Sequence, residues 1–173
     1  TFGPELSFGS NLQKKIKGNI AIIKFTHSGS QIIDWTPEGS NAKLRNLYPT
    51  FITFIKEQIA SLEEKGHKVE LQGIFYHLGE NDMSFGEYKS QASSRISRLV
   101  SQSRLDLGAP TLSWFVSQQP PTQFNTAPQG NVSEQLEDWA SSNISNFHLR
   151  AKDMITKDEK ILMNSEGIVK LGL

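Results

Sequence analysis

The chain of 173 residues carries 18 basic and 18 acidic side chains, so its formal net charge is zero and its isoelectric point is near 6.9. This length suits one α/β domain over residues 1–173, and the balanced charge, without a dense basic patch, argues against a nucleic-acid partner. The absence of cysteine excludes disulfides and thiolate metal sites, and the longest apolar run, residues 20–23, is far shorter than the ~20 residues that span a bilayer.

The first predicted elements are a helix and a strand. Pro4 and Glu5 suit the first turn of a helix, whose apolar residues recur at helical spacing until Gly18. Residues 19–25 hold three isoleucines and a phenylalanine, which predicts a buried strand. A loop over residues 26–30 follows it directly.

A long helix and a second strand come next. Apolar side chains at intervals of three and four predict a helix over residues 45–65, ended by Gly66. Pro49 offers an alternative, because proline favours a first turn and would leave residues 45–48 in the preceding loop. Residues 69–78 predict a second buried strand, which runs into Gly79-Glu80-Asn81-Asp82.

The C-terminal half continues the alternation of helices and strands. A capping box at Ser84-Phe85-Gly86-Glu87 predicts a helix through residue 100, and residues 112–117 predict a third strand. Residues 120–131, rich in Pro, Gln, Asn and Gly, predict a long surface loop. Ser133 can cap a short helix, and Ser165 can start a terminal helix.

This order of elements predicts an α/β fold. Strands that alternate with helices imply right-handed crossovers and a mainly parallel, doubly wound sheet, covered by helices on both faces as a three-layer sandwich. Ligands bind beyond the carboxyl ends of the strands in such sheets. The polar loops at residues 26–30 and 77–82 therefore indicate where a site would lie.

The two loops carry residue types suited to stabilising a negative oxygen. Asn81 can offer an amide N–H to an oxyanion, with Glu80 and Asp82 orienting their neighbours, and Gly29 leaves a backbone N–H open to a substrate. The alternative is that both segments are ordinary polar turns, since Gly, Asn and Asp favour turns on their own. Neither loop decides between these interpretations by itself.

Four segments in order carry a resemblance to a known family: Phe2-Gly3-Pro4-Glu5-Leu6-Ser7-Phe8-Gly9, then Ile20-Ala21-Ile22-Ile23-Lys24-Phe25, then Ser28-Gly29-Ser30 with Asp34-Trp35, and then Gly79-Glu80-Asn81-Asp82. They resemble the SGNH hydrolases grouped as sialate O-acetylesterase-like and acetylxylan-esterase-like enzymes. The resemblance implies an SGNH/flavodoxin-like fold and removal of acetyl groups from a sugar or polysaccharide. It also suggests an extracytoplasmic location, and neither a metal nor a cofactor is expected.

The resemblance also implies a mechanism and its residues. Enzymes of this kind use a Ser nucleophile with a His base, and oxyanion donors from the Ser backbone, a Gly and an Asn. Gly29 matches the family glycine and Asn81 the asparagine, with Glu80 beside it. We expect His27, Ser28, His77 and Asp82 to contact substrate.

Three positions depart from the family pattern. The family Ser and the first strand are expected before Thr1, outside this sequence. Near the C-terminus, Asn164-Ser165-Glu166-Gly167 resembles the start of the family's last helix, which aligns Glu159 with the Asp and Leu162 with the His of its Asp-x-x-His motif. Leu78 stands where these enzymes often carry Gln.

A leucine cannot act as a base, so His27 and His77 are the candidate replacements for the family histidine. The alternative function is a non-catalytic carbohydrate-binding or scaffold domain of the same fold. In that case aromatic side chains would be candidate stacking surfaces for a sugar, namely Trp35, Tyr76, Trp114 and Trp139.

Overall fold

A computed structural model of the chain describes residues 3–41, 45–84, 89–119, 130–150 and 163–173. Its helices are α1 (Glu5–Gln13), α2 (Tyr48–Glu64), α3 (Glu80–Ser84), α4 (Ala92–Asp106), α5 (Gly130–Ser141) and α6 (Ser165–Leu171), with a short 3₁₀ helix at Ile32–Trp35. Its strands are β1 (Gly73–Leu78), β2 (Ser113–Gln118) and β3 (Asn146–Leu149).

The three strands form one parallel sheet in the order β1-β2-β3. In the register, Leu78 pairs with Gln118 and Ser117 pairs with Leu149, so the carboxyl ends of all three strands lie at one edge. Parallel strands need crossover connections, and the described helices between them supply these. The predicted α/β class with a parallel sheet flanked by helices is thus confirmed.

One face of the sheet carries the core. Trp114 and Val116 of β2 have no exposed surface, whereas Phe115 between them is half-buried, as the two-residue period of a strand requires. The ring of Phe51 on α2 packs edge-on against Trp114, with centroids 6.5 Å apart. Leu136 of α5 is also fully buried. Burying these aromatic and aliphatic side chains is the main force that holds the helices on the sheet.

Two helix boundaries match their sequence signals. Helix α2 begins at Tyr48 with Pro49 in its first turn, which bears out the alternative start, and it ends before Gly66, whose φ is +84°. Helix α6 begins at Ser165, as predicted. Its N-cap residue is Asn164, whose side-chain oxygen accepts a hydrogen bond of 2.8 Å from the backbone N–H of Gly167.

The prediction of a buried strand at residues 19–25 is wrong. The segment has no regular secondary structure, and Ile22 and Ile23 are 42% and 37% exposed. A strand needs a neighbour for its backbone N–H and C=O groups, and none of the described strands pairs with this segment. The third strand is instead β3, which was not predicted because its alternation of polar and apolar side chains extends over only four residues.

Other boundaries shift by a few residues. Strand β1 begins at Gly73 rather than at residue 69, and helix α5 begins at Gly130, so Ser133 lies inside the helix and does not cap it. Most of Gly79-Glu80-Asn81-Asp82 lies in helix α3. Residues 85–88 of the predicted capping box and residues 120–129 of the predicted loop lie outside the described residues. Within the described part of the chain, no helix has both the length and the apolar character that crossing a bilayer requires.

Candidate active site

Two turns meet beside the carboxyl edge of the sheet. The Asn81 turn (residues 79–82) follows β1 directly and forms the first turn of α3, and the Gly29 turn (residues 26–30) lies against it. The backbone N–H of Ile32 donates a 2.9 Å hydrogen bond to Oδ1 of Asp82, and Nδ2 of Asn81 reaches the carbonyl oxygen of Ser30 at 3.5 Å. Residues 50 positions apart in sequence are thereby brought into contact.

The Gly29 turn is exposed and closed by short-range hydrogen bonds. The hydroxyl of Ser30 donates to the carbonyl of His27 at 2.9 Å, and Nδ1 of His27 lies 3.0 Å from the carbonyl oxygen of Ser28. Gly29 has a φ of +68°, a left-handed conformation that other residues rarely adopt. The guanidinium of Arg45 donates to the Gly29 carbonyl at 2.9 Å, which ties the turn to the segment before α2.

Asn81 has an amide that is only weakly engaged. Its side chain is half-buried, and its 3.5 Å contact with the Ser30 carbonyl is at the outer limit of a hydrogen bond. A primary amide also has two N–H donors. Asn81 can therefore turn an N–H toward a negative oxygen at the junction of the two turns with little loss of existing bonding.

Asp82 faces the interior, beneath the junction. Its exposure is 2%, and its pKa is raised to about 7, mainly by burial. The carboxylates of Asp34 and Glu80 also raise this pKa, whereas the hydrogen bond from Ile32 and the charge of Arg95 lower it. A side chain with almost no exposed surface does not reach a substrate on the rim, so the geometry favours a supporting role over the predicted substrate contact.

Asp34 is a second buried carboxylate, at the end of the Gly29 segment. Its Oδ2 accepts a 2.9 Å hydrogen bond from the backbone N–H of Gln31, and its carbonyl oxygen accepts one of 2.8 Å from Leu47. Its Oδ1 is buried without a hydrogen-bond partner among the described residues. These bonds fix the single 3₁₀ turn that carries the chain from the Gly29 turn toward α2.

His77 is bonded on both ring nitrogens. Nδ1 lies 2.7 Å from Oγ of Ser117, and Nε2 lies 3.5 Å from Oε1 of Gln119. Because the Gln119 oxygen can only accept, we assign the proton to Nε2, so that Ser117 donates to Nδ1. Burial lowers the pKa of His77, which agrees with a neutral ring.

The Ser117 hydroxyl lies as close to His77 as a nucleophile lies to its base, but a substrate cannot reach it. Ser117 has no exposed surface, so an ester cannot reach its hydroxyl in this structure. No local sequence pattern indicates the pair, because its residues are register partners on adjacent strands and lie 40 positions apart. Their contact indicates a structural link between β1 and β2.

The remaining predicted residues divide into three groups. Glu80 is half-buried at the start of α3, and its charge raises the pKa of both His77 and Asp82. Glu159 and Leu162 lie outside the described residues. The suggestion that tryptophans provide stacking surfaces is wrong, because a ring without exposed faces cannot stack on a sugar. All three tryptophans are buried in the core, namely Trp35, Trp114 and Trp139. Tyr76 is half-buried and packs edge-on against Trp35, with ring centroids 5.9 Å apart.

The part of the chain that the structure describes contains no cluster of side chains that could bind a metal ion. No three His, Asp or Glu side chains gather there at distances suited to a metal ion. The groups available for chemistry at the junction are therefore amide and backbone N–H donors, hydroxyls and the imidazole of His27.

Comparisons with known proteins agree with this architecture. The sequence model of a family described as "Carbohydrate esterase, sialic acid-specific acetylesterase" matches residues 1–173. A solved protein of Arabidopsis thaliana has a similar fold, with a TM-score of 0.61 at 18% sequence identity over 84% of this chain. The match covers 54% of the plant protein, so the chain spans about half the length of that relative. The comparison with curated proteins gave no match.

Proposed function

The chain belongs to the carbohydrate esterase family of sialic acid-specific acetylesterases, and on this premise we propose that the protein removes O-acetyl groups from a sugar or polysaccharide. The reaction is an acyl transfer through a serine. The serine oxygen attacks the acetyl carbonyl, the sugar oxygen leaves with a proton, and water then releases acetate from the acyl-enzyme.

One observation carries the proposal, namely the contact between the Gly29 turn and the Asn81 turn. Acyl transfer creates a negative oxygen that must be met by fixed N–H donors. The backbone N–H of Gly29 and the side-chain amide of Asn81 are donors of the two kinds that such sites use. Their turns are in contact although they lie far apart in sequence.

We take the nucleophilic serine to lie outside these 173 residues. Ser117 is the serine bonded to His77, and it is inaccessible. The hydroxyl of Ser30 donates to a backbone carbonyl in its own turn, and neither Ser28 nor Ser30 sits in a Gly-x-Ser-x-Gly elbow. In the family that the chain resembles, the serine precedes the segment that Gly3-Pro4-Glu5 matches.

His27 is our candidate for the general base. It is exposed within the Gly29 turn, and its Nδ1 lies 3.0 Å from the carbonyl oxygen of Ser28. Because a carbonyl can only accept, this contact places the proton on Nδ1 and leaves Nε2 free to accept one. His77 is less suited, since both of its nitrogens are already engaged.

The alternative function is non-catalytic binding of a carbohydrate by the same fold. The feature that favours it is Leu162, which the resemblance aligns with the family histidine. A serine without a base is a poor nucleophile at neutral pH. The burial of the tryptophans weighs against this alternative, because it removes the strongest stacking surfaces.

Two measurements on the full-length protein separate these functions. We expect hydrolysis of an aryl acetate and covalent labelling by a serine-reactive fluorophosphonate. His27→Ala should reduce hydrolysis by about 10²–10⁴-fold, the usual contribution of a positioned base. His67→Ala, which alters an exposed histidine after α2, is the matched control and should keep full activity.

If the folded full-length protein shows no hydrolysis and no labelling, the result favours the binding function. Hydrolysis that is equally fast in the His27 and His67 variants would keep the esterase but remove His27 as its base.

A further inference from the structure

A short hydrogen bond joins the Asn81 turn to Ile32, which follows the Gly29 turn in the chain. The Asn81–Ser30 contact is 3.5 Å long, whereas the bond from the Ile32 N–H to Asp82 Oδ1 is 2.9 Å long. Ile32 has no exposed surface and Asp82 has almost none, so water does not compete for this bond. Bonds from an N–H to an ionised carboxylate are about twice as strong as those between neutral groups.

Charged and titratable groups approach Asp82 from every element around it. Asp34 comes from the 3₁₀ helix, Arg95 from α4, Tyr76 from β1 and Glu80 from its own helix. Burial, and then the charges of Asp82 and Asp34, raise the pKa of Tyr76 well above its usual value, so the phenol stays protonated. Among the described residues, the charged groups that act on Asp82 are thus the carboxylates of Asp34 and Glu80 and the guanidinium of Arg95.

We infer that Asp82 is a positioning residue: its carboxylate holds Ile32, and with it the Gly29 turn, against Asn81, and the hold tightens when the carboxyl group loses its proton. A protonated carboxyl is a weaker acceptor, and of the two opposing influences on Asp82 the hydrogen bond from Ile32 is larger than the repulsion from Asp34. The junction therefore has a looser and a tighter form. Burial raises the pKa of Asp82 to about 7, which puts the change between them in the neutral range.

The positioning role rests on the proposed function, because a donor pair needs positioning only if an oxyanion forms there. The link itself is a property of the fold and can be measured without any substrate. The backbone amide of Ile32 and the side-chain amide of Asn81 report on it directly by nuclear magnetic resonance.

The experiment follows these two amide signals in the full-length protein from pH 5 to pH 9. We expect both to shift with a midpoint near the pKa of Asp82, about 7. The shift should vanish in Asp82→Asn, which keeps the shape and an acceptor oxygen. Asp138→Asn, which changes an exposed aspartate on α5, is the matched control and should leave the shift unchanged.

Hydrogen exchange separates positioning from a merely structural effect. The Ile32 amide should exchange at least about tenfold faster in Asp82→Ala than in Asp82→Asn, because only the alanine variant loses the acceptor. The inference would be overturned if the two amide signals of the wild type did not shift with pH, or if the Ile32 amide exchanged at the same rate in the two Asp82 variants. If the signals titrate as expected but the protein hydrolyses no ester, the link stands and the proposed function fails.

Discussion

The Gly29 turn and the Asn81 turn lie side by side, yet they are built in opposite ways. The Gly29 turn is exposed and closed by hydrogen bonds among its own residues and one from Arg45. The Asn81 turn continues a strand whose last residue, Leu78, is fully buried, and it ends on the buried Asp82. The core therefore positions the Asn81 turn. The Asn81 turn then positions the Gly29 turn through the hydrogen bond from Ile32 to Asp82.

This comparison ranks the effects of substitution. Changes to the buried Asp82 of the Asn81 turn should alter both the stability of the fold and the chemistry of the site. Changes to the exposed side chains of the Gly29 turn should alter the site with only small effects on stability.

The largest effect should come from removing the titration of Asp82. Its pKa is about 7 in the folded protein, whereas an aspartate in an unfolded chain has a pKa of about 4. The folded state binds more protons between these values, so the stabilisation present below pH 4 is lost as the pH rises to 7. The free energy of unfolding of the wild type, relative to Asp82→Asn, should fall by up to about 4 kcal/mol over this range.

Urea unfolding of both proteins at each pH measures this difference. The wild-type curve alone is insufficient, because burial lowers the pKa of His77, and that group acts with the opposite sign. A buried neutral histidine costs stability as the pH falls below about 6.5. A wild-type-minus-variant difference that stays flat from pH 4 to pH 8 would show that Asp82 is not buried as described.

Asn81→Ala should lower kcat for an aryl acetate by about 10²–10³-fold in the full-length protein, with a small change in KM. The reason is that an oxyanion donor acts in the transition state, not in the bound ester. Steady-state kinetics measures the split between kcat and KM. Asn11→Ala is the control, because it removes an amide that bonds to the exposed C-terminal carbonyl of Leu173. An equal loss of kcat in both variants would contradict the assignment of Asn81 as an oxyanion donor.

Ser117→Ala should reduce the free energy of unfolding by about 1–3 kcal/mol, since it leaves Nδ1 of the half-buried His77 without its donor. Chemical denaturation measures this loss. Fluorophosphonate labelling of the full-length protein should persist, because Ser117 is inaccessible. If labelling disappeared while the variant stayed folded, Ser117 would be the nucleophile after all.

The smallest effect should come from a pair of glycine substitutions, one in each turn. Gly29→Ala should cost about 1–2 kcal/mol, because alanine is strained at a φ of +68°. At Gly79 the φ is not in the left-handed region and a Cβ would meet nothing within 4 Å, so Gly79→Ala should be neutral or slightly stabilising. Thermal unfolding of the two variants measures the contrast, and equal losses would contradict the described backbone of the Gly29 turn.

The sequence predicted the elements whose signals are local. The apolar period of α2, the proline in its first turn and the serine that starts α6 all act within a few residues of where they stand. The alternation of helices and strands was enough to predict a parallel sheet. The polar residues after β1 were enough to direct attention to its carboxyl end.

The sequence could not predict the features that depend on pairing between distant segments. Residues 19–25 have the composition of a strand, but a strand exists only where a neighbour completes its hydrogen bonds. Strand β3 forms because β2 pairs with it, although its four residues are too few to predict a strand by their pattern. The Ser117–His77 contact and the Ile32–Asp82 bond join residues at least 40 positions apart, and no local pattern marks either one.

The most direct test of the site is a crystal structure of the full-length protein after reaction with a phosphonate, whose charged oxygen mimics the oxyanion. We predict that this oxygen lies about 2.7–3.1 Å from both the backbone nitrogen of Gly29 and Nδ2 of Asn81. A phosphonate oxygen that contacts neither group, or an adduct formed in a different cavity, would contradict the convergence of the two turns on one oxyanion.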